Sequence, residues 1–124
     1  MNAPRRIYSY VDTQQLPDRL GVLSEPNRFR MVGLLRTGPH AVGQIVDALS
    51  LRQPQVSRHL RILHEAGLVE VRRDAQRRIY RLRPEPFYEL TEWFAAITAT
   101  WTDRLDALDA VARDIENETA EDTP

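Results

Sequence analysis

Nine arginines against three acids lie between residues 52 and 83, a local net charge of +6 in a chain whose total is −1. Arginine meets phosphate and guanine through paired, planar hydrogen bonds, and a basic block this dense is the expected footprint of a nucleic-acid surface. The segment 53–66, QPQVSRHLRILHEA, gives that block a direction. At about 100° per residue, Val56, Leu60, Leu63 and Gly67 fall in one arc, which packs on a core. Pro54, Arg58, Arg61 and Glu65 fall opposite, with Gln55, Ser57 and Ile62 on the flanks. Arginine can pair bidentately with guanine and glutamine with adenine, while serine bonds to bases or phosphate. One helix with such a face could equally be an ordinary solvated surface, so its neighbours in the chain decide.

A second basic feature comes directly after it in the chain. Arg72, Arg73, Arg77, Arg78, Arg81 and Arg83 sit on two β-favouring runs, 68–73 and 78–82, joined by a polar turn at 74–77. Side chains alternate along strands, so these arginines cannot share one face. Arg73, Arg77 and Arg78, near the tip, are the candidates for phosphate or minor-groove contact. Arg81 and Arg83 are equally suited to pairing with acids of the last helix.

Helices on either side must hold these groups in place. Leu16, Leu20 and Leu23 recur at helical spacing in 12–23, and a second helix begins near Ser24 and Pro26 and stops at Gly38-Pro39. A short helix over 42–49 is separated from the one over 53–66 by the turn Ser50-Leu51-Arg52. After Pro84 and Pro86 a long amphipathic helix runs over 87–115. Residues 1–11 read as an N-terminal arm and 116–124 as an acidic flexible tail. Two short helices, a tight turn and then a basic hairpin is the order of a winged helix-turn-helix. The expected fold is thus mainly α with a small β-hairpin, and a long C-terminal dimerisation helix.

Composition narrows the function. The length of 124 residues suits one domain, and 42% hydrophobic with 28% charged residues is the balance of a folding chain. No apolar run approaches the roughly 18 residues of a membrane span, and no apolar stretch follows the arginines of the N-terminus, so a cytoplasmic location is expected. There is no cysteine, hence no disulfide, thiol nucleophile or sulfur-ligated zinc. Glycine-rich phosphate loops, nucleophile elbows and His-x-x-x-His pairs are absent too, so neither an enzyme nor a bound cofactor is expected.

The stretch from Leu20 to Leu82 resembles the ArsR/SmtB family of winged-helix repressors. The matching pieces are Leu23-Ser24-Glu25-Pro26-Asn27-Arg28, Val42-Gly43-Gln44-Ile45-Val46, the helix from Gln53 to Leu63, Ala66-Gly67-Leu68-Val69 and Arg78-Ile79-Tyr80-Arg81-Leu82. The resemblance implies a homodimer that binds an inverted repeat in promoter DNA, with the first and last helices at the interface, Leu16 and Leu20 among them. It also implies recognition-helix contacts at Gln53, Gln55, Ser57, Arg58 and His59, beside Arg61 on the same outer face, and wing contacts at Arg73, Arg77 and Arg78. The turn of the wing lacks the glycine often found there in the family.

Metal sensing in this family needs cysteine, histidine or carboxylate ligands at fixed places. The three histidines are His40, His59 and His64, none on the last helix, so no metal site is expected. Release from DNA is then open between an unnamed small-molecule effector, protein abundance and a competing regulator. On the last helix Phe87, Leu90, Phe94, Ile97, Trp101, Leu105, Leu108, Ala112 and Ile115 form a seam over about eight turns, too long for one small core to cover. A second copy is the natural cover. Trp93 and Trp101 fit either as anchors of that dimer or as the lining of a ligand pocket. The competing reading from another class is a winged-helix protein-interaction module without DNA binding.

Overall fold

The structure, a computed structural model, describes residues 10–121. Five helices and three strands are arranged in the order α1 (Tyr10–Ser24), α2 (Pro26–Leu35), β1 (His40–Ala41), α3 (Val42–Leu49), α4 (Gln53–Glu65), β2 (Val69–Asp74), β3 (Arg77–Leu82) and α5 (Pro84–Glu121). The expected winged helix-turn-helix is therefore present. Most of the expected arm, and residues 122–124 of the expected tail, lie outside the described residues. The chain divides into two compact units, one reaching Glu89 and the other starting at Leu90.

In the first unit the core is made of Met31, Leu35, Ile45, Val56, Leu60, Leu63, Leu68, Val69 and Tyr80. The apolar arc read from the spacing of Val56, Leu60 and Leu63 is fully buried, which fixes which way the rest of α4 faces. Local chemistry sets the ends of these helices. Pro26 and Pro54 sit at first-turn positions, where a missing N–H is harmless. At the end of α4, Gly67 adopts φ +76, its N–H donates to the carbonyl of His64, and Leu68 N–H donates to that of Leu63. This paired closure satisfies carbonyls the helix leaves open and turns the chain into β2. Ser50 makes the corresponding left-handed turn, φ 56, at the end of α3, so α4 starts three residues later.

The sheet has the order β1-β3-β2 and is antiparallel. The hairpin was expected, but β1 was not. His40 and Ala41 pair with Tyr80 and Ile79, and two residues are too few to show alternation in a sequence.

The second unit is the remainder of α5. The helix starts at Pro84 and runs to Glu121, beyond the expected span of 87–115. Pro84 and Pro86 fit its first turn, and residues 116–121 contain no glycine or proline to stop it. The part of the acidic tail that is described is thus helical. Among the described residues no helix is long and apolar enough to cross a membrane.

Candidate DNA-binding surface

With its apolar arc on the core, α4 has three other faces. Arg58 and Arg61 point outward and are exposed, and neither has a hydrogen bond or ion pair among the described residues. On the flank toward the wing, Gln53, Ser57, Arg61 and His64 line a cleft of about 900 Å³. Its other walls are Ala41, Val42, Gly43, Gln44 and Asp47 of β1 and α3, and Val71, Gln76, Arg77, Arg78 and Tyr80 of the hairpin. An open groove between a recognition helix and a basic hairpin is where a sugar–phosphate strand can pass while bases are read beside it.

The third flank is committed elsewhere. His59 is half-buried, its Nδ1 3.3 Å from Arg28 Nη1 and 4.0 Å from Glu25 Oε1 on the α2 side. Arg28 in turn donates from Nε to the carbonyl of Val22 at 2.8 Å, so this guanidinium joins α1, α2 and α4. Glu25 accepts the Arg28 backbone N–H at 2.8 Å as the cap of α2. That hydrogen bond, with smaller help from the charges of His59 and Arg28, holds the Glu25 carboxyl below its ordinary range despite some desolvation. Gln55 Oε1 accepts the backbone N–H of Arg52 at 3.3 Å, which ties it to the start of its own helix. Of the five helix contacts that the family resemblance implied, Gln53 and Ser57 line the cleft and Arg58 faces outward. Gln55 and His59 are held by internal partners.

The wing separates its arginines by strand alternation. In the β2–β3 register Arg73 stands opposite Arg78, and Asp74 opposite Arg77. Arg77 has its acid at 3.9 Å. Among the described residues Arg73 and Arg78 have no acid partner, and like charges directly across a strand pair destabilise it. Such a pair makes sense where an anion is to be received. Arg81 is matched on β2 by Glu70 at 2.9 Å rather than by an acid of the last helix, whereas Arg83 does reach the start of α5, 3.6 Å from Glu85. Where the family's turn often has glycine, Ala75 takes φ 59.

Sequence reasoning did not find His64, Gln44 and Asp47 in the cleft wall. His64 comes seven residues after Ser57, nearly two turns, and that spacing was the available signal. No signal in α3 singled out Gln44 and Asp47. Among the described residues no three histidine, aspartate or glutamate side chains gather as a metal site.

Of the residues expected at a dimer interface, Leu16 and Leu90 are buried within one chain, at 3% and 6% exposure, and Leu20 is half-buried. Phe94, Ile97, Trp101, Leu105 and Leu108 are exposed, as are Val111 and Ile115 further along the helix. Arg104 lies over the Trp101 ring, 5.6 Å from its centre.

A turn-linked helix pair, an outward arginine face and a basic hairpin beside it define a winged helix-turn-helix DNA-binding regulator. The family profile for "Bacterial regulatory protein, arsR family" matches residues 25–71, from the cap of α2 into β2. The chain is 37% identical over 78 residues to a biofilm growth-associated repressor of Agrobacterium fabrum, covering 63% of this chain and 67% of that one. It is 45% identical over 64 residues to the arsenic resistance transcriptional regulator ArsR1 of Pseudomonas putida, covering 51% of this chain and 50% of that one. A solved structure described as a possible transcriptional regulator for arsenical resistance shares 40% identity with a TM-score of 0.60, over 75% of this chain and 94% of that one. The chain belongs to the arsR family of bacterial regulatory proteins, a family of transcriptional regulators and not of enzymes. It spans half to two thirds of the length of the two curated relatives.

Proposed function

We propose that the protein is a homodimeric repressor that binds an inverted-repeat promoter site. The observation that carries this reading is the outer face of α4, Arg58 and Arg61, without partners among the described residues and set beside a cleft whose far wall includes Arg78, which stands across from Arg73. In this reading Arg58 and Arg61 reach base edges in the major groove, and Ser57 and Gln53 contact the strand or bases at the cleft. Arg73, Arg77 and Arg78 take phosphates or the neighbouring minor groove. His59 and Gln55 support the helix from behind. The exposed stripe of α5 from Phe94 to Leu108 meets the same stripe of a second copy, and two-fold symmetry of the protein matches an inverted repeat in the DNA. With no cysteine in the chain, release from DNA does not run through a thiolate metal site.

The decisive experiment is selection from a random-sequence duplex pool, then fluorescence anisotropy on the enriched duplex and on its scramble at about 150 mM salt, where non-specific binding is weak. Enrichment of a two-fold-related motif, bound orders of magnitude more tightly than the scramble, is expected. Equal and weak binding to both overturns the reading in favour of a protein-interaction module. Sedimentation should give a dimer for the wild type and a monomer for Leu105→Asp. A wild-type monomer at micromolar concentration refutes the dimer.

A further inference from the structure

Arg19 lies on α1, apart from the DNA-facing surface, and its side chain is only 15% exposed. Its Nε donates to the backbone carbonyl of Ala66 at 3.2 Å, the residue that closes α4. Its Nη1 donates to Glu89 Oε1 at 2.8 Å, in the first turns of α5. Its Nη2 lies 3.3 Å from where a Cβ on Gly67 would stand. Gly67 is favoured by its left-handed turn at φ +76, and a Cβ there would crowd this guanidinium by a few tenths of an ångström. A cation at the C-terminal end of a helix also sits where the helix dipole is negative, which favours this placement over any at the other end.

We propose that Arg19 is a positioning residue for base reading: it pins the C-terminal end of α4 to α1 and α5, and so fixes the angle at which the helix presents Arg58 and Arg61. The inference rests on α4 being the recognition helix. Its physical basis is leverage. With 13 residues α4 is about 20 Å long, so a tilt of about 5° around its C-terminal anchor moves the other end by about 1.7 Å. Base contacts require placement to within about 0.5 Å, whereas long arginines meeting phosphates on the wing can accommodate such a shift. Loosening the anchor should therefore erode specificity before it erodes general affinity. A residue that only supports folding would lower both together.

The test compares wild type, Arg19→Gln and Glu89→Gln as full-length dimers. The duplex is the one the wild type enriches from a random pool, and the control is its scramble. Arg19→Gln is expected to bind the enriched duplex about five- to tenfold more weakly, the lower end of what losing one bidentate base contact does, with the scramble unchanged. Glu89→Gln should show a smaller loss of the same kind. Without DNA, amide exchange at Gly67 and Leu68, which close α4, should be faster in Arg19→Gln than in the wild type. Equal losses on both duplexes, or no loss on either, overturn the proposal. If the wild type enriches no motif, the recognition-helix reading has failed instead, and the exchange measurement alone judges whether Arg19 anchors α4: unchanged exchange refutes it.

Discussion

Replacing Arg78 by glutamine should make the protein more stable and a weaker DNA binder at the same time. Arg78 stands directly across from Arg73, both are exposed, and among the described residues neither has an acid partner. A like-charged cross-strand pair lowers stability by roughly 0.2–1 kcal/mol, and salt screening of an exposed pair puts the relief at about 0.5 kcal/mol. For a domain of this size that raises the melting temperature by about 2–4 °C. On DNA, in the proposed reading, the same change gives up one phosphate contact per subunit. Each contact contributes about 0.9 to the slope of log affinity against log salt, so a dimer should lose about 1.8. Because phosphates carry no sequence information, the enriched duplex and its scramble should lose affinity equally. Differential scanning calorimetry and anisotropy titrations over a range of salt concentrations measure the two sides. A lower melting temperature with an unchanged salt slope would refute the reasoning, since Arg78 would then be a structural residue of the hairpin.

The same geometry sets three further outcomes. Arg58→Ala should weaken binding to the enriched duplex by about 5- to 150-fold, the range for one bidentate base pair contact, and leave the scramble nearly unchanged in anisotropy. Ala75→Gly should stabilise the hairpin by about 0.5–1 kcal/mol in urea unfolding, because an alanine at φ 59 costs about 1–2 kcal/mol and glycine gives back only part of that in chain entropy. Glu25, whose carboxyl is held low mainly by the Arg28 N–H, contributes stability that is present above its unfolded pKa and lost as pH falls through its folded value. Glu25→Gln should accordingly flatten the acid side of the stability–pH curve in thermal melts, and an unchanged acid limb counts against the cap.

The fold was legible where burial imposes a period. Val56, Leu60 and Leu63 announced the inner face of α4, and the β-favouring residues Ile79, Tyr80 and Leu82 announced a strand. Features made by pairing across the chain were not legible. The two-residue strand β1 exists only because β3 is beside it. The outward positions Arg58 and Arg61 could be deduced by rotation from the buried arc. Gln55 and His59 could not, because their partners are a backbone N–H three residues away and an arginine 31 residues away. The helical continuation to Glu121 was missed because acidity was read as a sign of fraying, although four of the six residues 116–121, Glu116, Glu118, Ala120 and Glu121, favour a helix.

The family profile covers one part of the proposed surface and not the other. Residues 25–71 hold Ser57, Arg58 and Arg61, whereas the wing tip at Arg73, Arg77 and Arg78, the Arg19–Glu89 link and all of α5 lie outside that span. In the proposed reading the profile-matched segment holds the residues that read base edges, while the wing arginines, the Arg19–Glu89 link and the apolar stripe lie outside it. A fold shared by many regulators does not specify what each one senses, because sensing resides in groups added to it. Exchanging the outward residues of α4 for those of a relative should accordingly move the preferred sequence toward that relative's, with little effect on the salt slope. Exchanging the wing tip should do the reverse. If the wing exchange also changed the preferred sequence, the hairpin would be reading bases and not only phosphates, and the division between the two surfaces would have to be redrawn.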